Sequence, residues 1–304
     1  MVLHPKGCGR VGHRRTKHER KARQVFLAGL TSFRTRIAVD IAPGRSRKLD
    51  GVTAPRLLLI QPDPADPPGP LGEWLVRAGA NLDVRIPPEE SLPDTLDDHD
   101  GVVCLGGGMN AEDDARHPWL AGLRSLLSSA AARDVPTLCV CLGAQLLAVA
   151  TGGRVAPGHD GPEVGPSLVA KKDAAWMDPL CADLPLMQDV FQFHSDEIAQ
   201  LPSRAVLLAS SPRYPNQAYR IGRRVYGLQF HIETTPEVVR SWAANSRTKA
   251  DAVRDSAFDD GTLARVHADI AETWEPFVGR FVDLAAGRLA PAEVRASSLP
   301  IVDG

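Results

Sequence analysis

From Arg56 onward the chain alternates short apolar runs with amphipathic stretches, and this alternation limits the possible folds more than any other feature. Residues 57–60 form an apolar run closed by Gln61 and Pro62, which is typical of a strand buried on both faces. Similar runs occupy residues 82–86, 101–105 and 137–140, and helical patterns separate them at 71–78, 119–132 and 143–150. This order predicts an α/β fold, a central and mostly parallel sheet flanked by helices.

The second half of the chain has a different pattern. Apolar segments at 205–209, 217–221 and 225–230 are joined by short turns, which predicts a small antiparallel addition to the sheet. A helix is predicted from Pro236 to residue 244, with Thr235 as its cap. Helical spacing beyond residue 249 predicts an extension that fills out the core, covers the site, mediates dimerisation or docks a partner. The expected division is therefore 1–51, 52–248 and 249–304.

Charge sets the first 50 residues apart. They contain 13 lysines and arginines against three acidic residues, whereas the whole chain has a formal net charge of −2. Because this segment has no hydrophobic periodicity, we expect residues 1–51 to be disordered. A nucleic-acid-binding arm, a cleaved targeting peptide and a tether for an anionic partner are the functional alternatives. A further alternative is that translation begins at Val52, so that this segment is absent from the protein.

Composition excludes several classes of protein. No apolar stretch reaches about 18 residues, so no membrane span is predicted. The five cysteines are odd in number and lack paired metal-ligand spacing, which argues against a disulfide framework or a structural zinc site. We therefore expect a cytoplasmic protein.

Cys141 is the candidate nucleophile. It directly follows a predicted buried strand and precedes a helix that begins near Gly143, so it lies at a strand-to-helix elbow. Such a turn places the side chain above the carboxyl edge of the sheet, and the helix N-terminus attracts negative charge there. The alternative is that Cys141 is a small core residue like Cys139, which faces the same side of the strand.

A thiol nucleophile needs a base, and the base needs an orienting group. His231 and Glu233 are two residues apart on an extended segment, so both project to the same face and the carboxylate can orient the imidazole. A structural histidine at a strand end is the alternative. Four other histidines have no comparable partner at strand spacing: His99, His117, His159 and His267.

Three glycines, 106–108, follow the predicted strand beside that of Cys141, and their backbone amides can turn toward the nucleophile as oxyanion donors. A phosphate cradle and a simple turn are the alternatives. No lysine follows as in a P-loop, and the GxGxxG pattern is absent.

Residues 101–110, 141–145 and 227–233 resemble, in this order, the three sequence blocks of class I glutamine amidotransferase domains with a catalytic triad. The resemblance covers about residues 55–245. Supporting similarities are most like the free-standing members, including γ-glutamyl peptidases, and lie at 113–120, 163–165, 194–196, 209–212 and 215–219. Three positions depart from the usual pattern: Gly108 and Ile232 stand where proline is common, and Ser195 where glycine is usual after the histidine.

The resemblance implies a role for each motif residue. Cys141 would be the nucleophile, His231 the base and Glu233 its orienting group. The amides of Gly107 and Leu142 would form the oxyanion hole. Substrate contacts would come from Gly106, Gln145, Ser195 and Asp196.

The implied reaction is hydrolysis of the γ-carboxamide of glutamine through a γ-glutamyl thioester, without a metal or organic cofactor. The ammonia would pass to a separate synthetase partner, because this chain has no nucleotide-binding loop of its own. Hydrolysis of γ-glutamyl amides or peptides is a second possibility, and a non-catalytic glutamine sensor a third. Neither a membrane nor a nucleic acid is an expected partner.

Overall fold

A computed structural model describes residues 48–49, 52–87, 89–246 and 255–293 of the chain. The predicted N-terminal extension therefore lies outside the described residues, except for Lys48–Leu49 (β1), which pairs antiparallel with Val52–Thr53 (β2). Within the described residues no helix combines the length and the apolar composition that a membrane crossing requires.

The centre of the molecule is a nine-stranded mixed sheet in the order β4-β3-β5-β6-β13-β12-β11-β8-β9. Five strands form its parallel half: Arg56–Ile60 (β3), Asn81–Arg85 (β4), Gly101–Cys104 (β5), Thr137–Val140 (β6) and Val225–Leu228 (β13). The inner strands of this half are almost continuously apolar because both of their faces are covered, and Leu57–Ile60 are fully buried. The edge strand β4 instead alternates polar and apolar residues. The predicted α/β fold is confirmed.

Four antiparallel strands complete the sheet: Glu163–Lys171 (β8), Met187–His194 (β9), Ala205–Ser210 (β11) and Ala218–Ile221 (β12). The edge strand β9 also contacts the segment that follows β13. There the backbones of Phe191 and His231 exchange two hydrogen bonds. A separate pair is formed by Arg154–Pro157 (β7) and Asp196–Gln200 (β10). The sequence analysis predicted β11 and β12 but not β7 to β10.

Helices connect and cover the sheet. They are Gly69–Arg77 (α1), Trp119–Ala132 (α2), Leu142–Ala150 (α3), Pro236–Asn245 (α4) and Asp260–Ala285 (α5), with short 3₁₀ helices at Asp173–Met177 and Asp255–Phe258. The predicted cap of α4 is present, because the Thr235 hydroxyl accepts a hydrogen bond from Val238 N.

The long helix α5 packs against α1 and β9. Its apolar face is buried, and the Trp274 ring donates a hydrogen bond to Asp189 O of β9. Arg280 donates to Leu180 O at 2.8 Å. These contacts agree with the expectation that the C-terminal segment fills out the core.

Candidate active site

Cys141 lies at the abrupt turn between β6 and α3. Its backbone has φ +48° and ψ −109°, a combination that side-chain-bearing residues rarely adopt and that costs about 1–3 kcal/mol. Cys141 N donates to Leu228 O, while Cys141 O accepts from Gln145 N in the first turn of α3. The predicted elbow is present, and Cys141 lines a cleft while Cys139 is fully buried within β6.

Close packing at Gly143 holds this elbow against the neighbouring strand. A Cβ atom at residue 143 would lie 2.4 Å from Cys104 O. Only glycine therefore allows the N-terminus of α3 to approach the end of β5, where the glycine loop 106–108 begins.

His231 and Glu233 form a buried hydrogen-bonded pair just after β13. His231 Nδ1 lies 2.5 Å from Glu233 Oε1, and Ile232 N donates to Glu233 Oε2 at 2.8 Å. His231 Nε2 is buried and has no hydrogen-bond partner among the described residues, and His231 lines the same cleft as Cys141. The geometry agrees with the expected base and its orienting carboxylate.

The electrostatics of this pair favour an imidazolium beside a carboxylate. Burial by itself lowers the pKa of His231, but the charges of Glu233 and Cys141 outweigh burial and raise it well above its usual value. Burial by itself raises the pKa of Glu233, but His231 and backbone hydrogen bonds bring it below its usual value. Glu233 is therefore ionised at neutral pH and can stabilise a proton on the imidazole.

Two of the four histidines that were expected to have no comparable partner also meet carboxylates. His99 lies 3.1 Å from Asp83, and His159 lies 2.8 Å from Glu197. Local spacing could not show these pairs, because their partners are distant in sequence. Neither histidine lines the cleft that contains Cys141.

The glycine loop lies beside the elbow. A Cβ atom at residue 107 would be 3.0 Å from Leu142 Cδ2, so Gly107 and Leu142 are neighbours, as oxyanion donors must be. Leu142 is the first residue of α3, and its N–H has no acceptor within the helix. Gly108 N donates to Asp63 Oδ2.

Gln145 and Asp196 meet at the far side of the cleft. Gln145 Nε2 donates to Asp196 O at 3.0 Å and to Gln229 Oε1 at 3.3 Å. Asn110 Nδ2 donates to Asp196 Oδ2 at 2.8 Å, linking the glycine loop to this wall. The structure thus brings the predicted substrate residues Gln145 and Asp196 together with Cys141 in one cleft.

Ser195 also lines the cleft, with an ordinary backbone conformation. Among the described residues, only Asp134 and Cys141 have a positive φ without being glycine. Ser195 stands where the family resemblance leads one to expect glycine. Its backbone nevertheless carries no positive-φ strain.

A buried polar network supports the segment 194–196 from below. His194 Nδ1 lies 2.9 Å from Asp196 O, and His194 Nε2 lies 3.1 Å from Glu163 Oε2. Gln217 Nε2 donates to Glu163 Oε2 and to Ser211 Oγ. Because these partners lie on β8, β9 and the approach to β12, the network fixes the substrate wall to the antiparallel half.

Trp242 and Asp66 are site residues that the sequence analysis missed. The Trp242 ring lies 4.8 Å from the His231 ring and 5.2 Å from the Phe193 ring, and Trp242 Nε1 donates to Ala65 O. Sequence placed Trp242 only on a helix, and it placed Asp66 in a proline-rich connection with no periodicity. No pattern near either residue points to Cys141, so only the fold brings them to the cleft.

Gly106 is buried against Asp66 and His231, while Gly107 and Gly108 line the cleft itself. A Cβ atom at residue 106 would lie 2.2 Å from Asp66 Oδ2 and 3.1 Å from His231 Cε1. Gly106 itself does not line the cleft, so the structure does not bring it to the position of the implied substrate contact.

In the part of the chain that the structure describes, one group of side chains has the arrangement of a metal site. Ligand atoms of Asp66, His231 and Glu233 lie within 4.8 Å of one another. A metal ion there would engage a nitrogen of His231, which already shares its Nδ1 proton with Glu233. The chemistry of the group therefore fits proton transfer better than metal binding.

Comparisons with known proteins agree with this geometry. The family model described as glutamine amidotransferase class-I matches residues 71–246. A GMP synthase (glutamine-hydrolyzing) from Christiangramia forsetii is 34% identical over 212 residues, which are 69% of this chain and 36% of that protein. Gamma-glutamyl peptidase 4 from Arabidopsis thaliana is 29% identical over 160 residues, which are 52% of this chain and 61% of that protein.

A solved structure of a glutamine amidotransferase from Thermotoga maritima has a TM-score of 0.66 and 26% identity, covering 76% of this chain and 97% of that chain. The family model matches more than half of this chain, which therefore belongs to the class I glutamine amidotransferase family. The chain spans about a third of the length of the two GMP synthases matched first, 36% and 29%.

Proposed function

We propose that this chain hydrolyses the γ-carboxamide of glutamine through a γ-glutamyl thioester on Cys141. The observation that carries the proposal is the meeting of three features at one cleft: an elbow thiol, an imidazole tied to a buried carboxylate, and the Gly107 and Leu142 pair. Each feature has a distinct chemical task in acyl transfer.

In the first half of the reaction, His231 accepts the thiol proton and the Cys141 sulfur attacks the γ-carbonyl carbon. The amides of Gly107 and Leu142 stabilise the resulting oxyanion. The tetrahedral intermediate then collapses, the carbon–nitrogen bond breaks, and His231 returns its proton to the departing nitrogen, so that ammonia leaves and the thioester remains.

In the second half, His231 takes a proton from water, which attacks the thioester. Collapse of this intermediate returns the proton to sulfur and releases glutamate. Glu233 stabilises the imidazolium in both halves, and the Trp242 ring at 4.8 Å supports the same charge through a cation–π contact.

We infer that the ammonia is passed to a separate synthetase partner. The sequence carries no nucleotide-binding loop, and the family includes relatives named GMP synthase. Gln145, Asp196 and the backbone of Ser195 would hold the amino-acid part of glutamine in this reaction.

A second candidate, hydrolysis of γ-glutamyl amides or peptides, is favoured by the shape of the cleft. Its volume is about 600 Å³, within the range of about 300–1,000 Å³ typical of sites for drug-sized ligands. Met109, Phe193 and Trp242 give it an apolar wall that could receive a leaving group larger than ammonia. The similarity to an Arabidopsis γ-glutamyl peptidase points the same way.

The test compares glutamate release from glutamine, from γ-glutamyl anilides and from γ-glutamyl dipeptides, using the full chain without a partner. Faster turnover of dipeptides supports the peptidase, whereas preference for glutamine supports the amidotransferase. A diazoketone analogue of glutamine should label Cys141, as located by peptide mass spectrometry. Absence of both labelling and turnover would contradict the proposed chemistry.

A further inference from the structure

The strongest unexplained feature of the cleft is the carboxyl group of Asp66. Asp66 is only 2% exposed, and neither of its carboxyl oxygens has a hydrogen-bond partner among the residues that the structure describes. Buried carboxyl groups are normally paired or hydrogen-bonded because isolated burial is costly. An unpaired one beside a catalytic cluster needs a functional explanation.

The surrounding chain is built to hold Asp66 at this position. Asp66 lies in the connection between β3 and α1, where Asp66 N donates to Asp63 O and Trp242 clamps the adjacent Ala65 carbonyl. Gly106 leaves room for its carboxyl group, since a Cβ atom there would collide with Asp66 Oδ2. The same hypothetical atom would be 3.1 Å from His231 Cε1, so the Asp66 carboxyl group and the imidazole both lie against Gly106.

The two carboxyl groups near His231 have opposite environments. Glu233 accepts hydrogen bonds from His231 Nδ1 and Ile232 N, which stabilise its ionised form. Asp66 accepts none, although one of its carboxyl oxygens, one carboxylate oxygen of Glu233 and a ring nitrogen of His231 all lie within 4.8 Å of one another. Like charges at this separation in a buried site repel strongly, so the proton of the pair resides on Asp66.

We infer that Asp66 is a positioning residue of the catalytic cluster, whose carboxyl group keeps a proton while Glu233 is ionised and thereby controls the charge on His231. The inference rests on the proposed role of His231 as the base. Neutral Asp66 leaves the imidazole free to lose its proton. Ionised Asp66 would hold the imidazole in its charged form, which cannot accept a proton from water.

The charges that act on Asp66 agree with this assignment. Burial raises the pKa of Asp66 most, and Glu233, Cys141 and Asp63 raise it further. His231 lowers it, and the net result is a pKa well above the usual value. Asp66 and His231 therefore compete for one proton whenever Glu233 is ionised.

The decisive experiment measures the charge on His231 directly. In the full chain labelled with ¹³C-histidine, the NMR signal of His231 Cε1–H is assigned by its loss in His231→Gln and titrated with pH. Because asparagine has the shape and the zero charge of a protonated aspartic acid, Asp66→Asn should leave the midpoint within a few tenths of a pH unit of the parent's. A midpoint lower by about one unit would show that Asp66 is ionised in the parent and would overturn the inference, even if the enzyme hydrolyses glutamine.

Asp63→Asn is the matched control. Asp63 lies three residues earlier in the same connection, but its oxygens accept hydrogen bonds from Ala65 N and Gly108 N. The effect of disturbing the connection alone is therefore measured in Asp63→Asn. A midpoint that falls in Asp66→Asn but not in Asp63→Asn would identify an ionised Asp66 in the parent and overturn the inference.

A second measurement does not depend on activity or on the NMR signal. Unfolded Asp66 loses its proton near its usual pKa, whereas folded Asp66 keeps it, so the stability of the parent should fall relative to Asp66→Asn as pH rises above about 4. The difference in thermal midpoint should widen up to neutral pH. Asp66→Ala, which also removes the charge, should show the same trend; a pH-independent difference in both variants would contradict the inference.

Discussion

The parallel and antiparallel halves of the sheet contribute different parts of the site. The parallel half carries the strained elbow at Cys141, the proposed nucleophile, and the proposed oxyanion donors Gly107 and Leu142. The antiparallel half carries the proposed substrate wall at 194–196, supported by the buried network around Glu163. His231 follows β13, where the two halves meet, and its backbone is paired with β9.

This difference indicates how the two parts can be separated experimentally. Changes in the parallel half should act on the chemical steps and lower kcat. Changes beneath the substrate wall should act on binding and raise KM.

The largest effect is expected at the elbow. Cys141→Ala should abolish glutamate release because no thioester can form, while the protein still unfolds cooperatively. The matched control is Cys139→Ala in the same strand, which is buried at the core and should lose about 1 kcal/mol of stability but keep turnover. Glutaminase assays and thermal unfolding of both variants provide the test, and turnover by a folded Cys141→Ala protein would exclude the mechanism.

The next effect is expected at Glu233. Glu233→Gln keeps the shape but removes the charge that raises the pKa of His231, so kcat should fall by about 10²–10⁴-fold with little change in KM. Because a lower pKa gives a neutral base at lower pH, the ascending limb of kcat should also move to lower pH. His231→Ala should lose more activity than Glu233→Gln.

The pH profiles of acylation and deacylation, measured in single turnovers, test this prediction. Rates equal to those of the parent would reduce Glu233 to a structural residue and the cluster to a Cys141 and His231 dyad.

The parallel half was largely predictable from the sequence, and the antiparallel half was not. A strand buried on both faces leaves a continuous apolar run and an amphipathic helix leaves an apolar stripe, so the strand 137–140 and the helix 119–132 were assigned with the bounds that the structure shows. In contrast, β8 contains glycine, proline and lysine, and the buried face of β9 includes Gln188, Gln192 and His194. Gln192 donates to Gln217 and His194 lies against Glu163, partners 25 and 31 residues away that no local pattern can indicate.

The site divides in the same way. Cys141, His231 and Glu233 could be proposed from the sequence because the elbow and the two-residue spacing are local features. Asp66 and Trp242 could not be proposed in this way. Asp66 is brought near His231 from more than 150 positions away, and Trp242 reaches His231 from a separate helix. Long-range packing, rather than periodicity, determines these positions.

A smaller effect is expected beneath the substrate wall. Glu163→Gln removes the charge that pairs with His194 and places an amide donor near Gln217, which should cost about 1–3 kcal/mol of stability. Because His194 contacts Asp196 O, KM for glutamine should rise about tenfold, equivalent to about 1.4 kcal/mol of binding, while kcat changes less.

Glu197→Gln is the matched control. It removes a buried carboxylate that pairs with His159 rather than with His194. It should lower the thermal midpoint without the rise in KM. Equal KM values for Glu163→Gln and the parent would show that the network serves stability alone.

The smallest effect is expected for Ser195→Gly, which restores the residue usual in the family. Since Ser195 has no positive φ, glycine relieves no strain and instead gives the unfolded chain more conformational freedom, which should cost about 0.4–1 kcal/mol. KM and kcat should each stay within about twofold of the parent's, because the backbone that lines the cleft is unchanged. Steady-state kinetics and thermal unfolding measure both quantities. A several-fold gain in kcat/KM would show that the Ser195 side chain, rather than its backbone, hinders the substrate. The antiparallel half would then limit catalysis as well as binding.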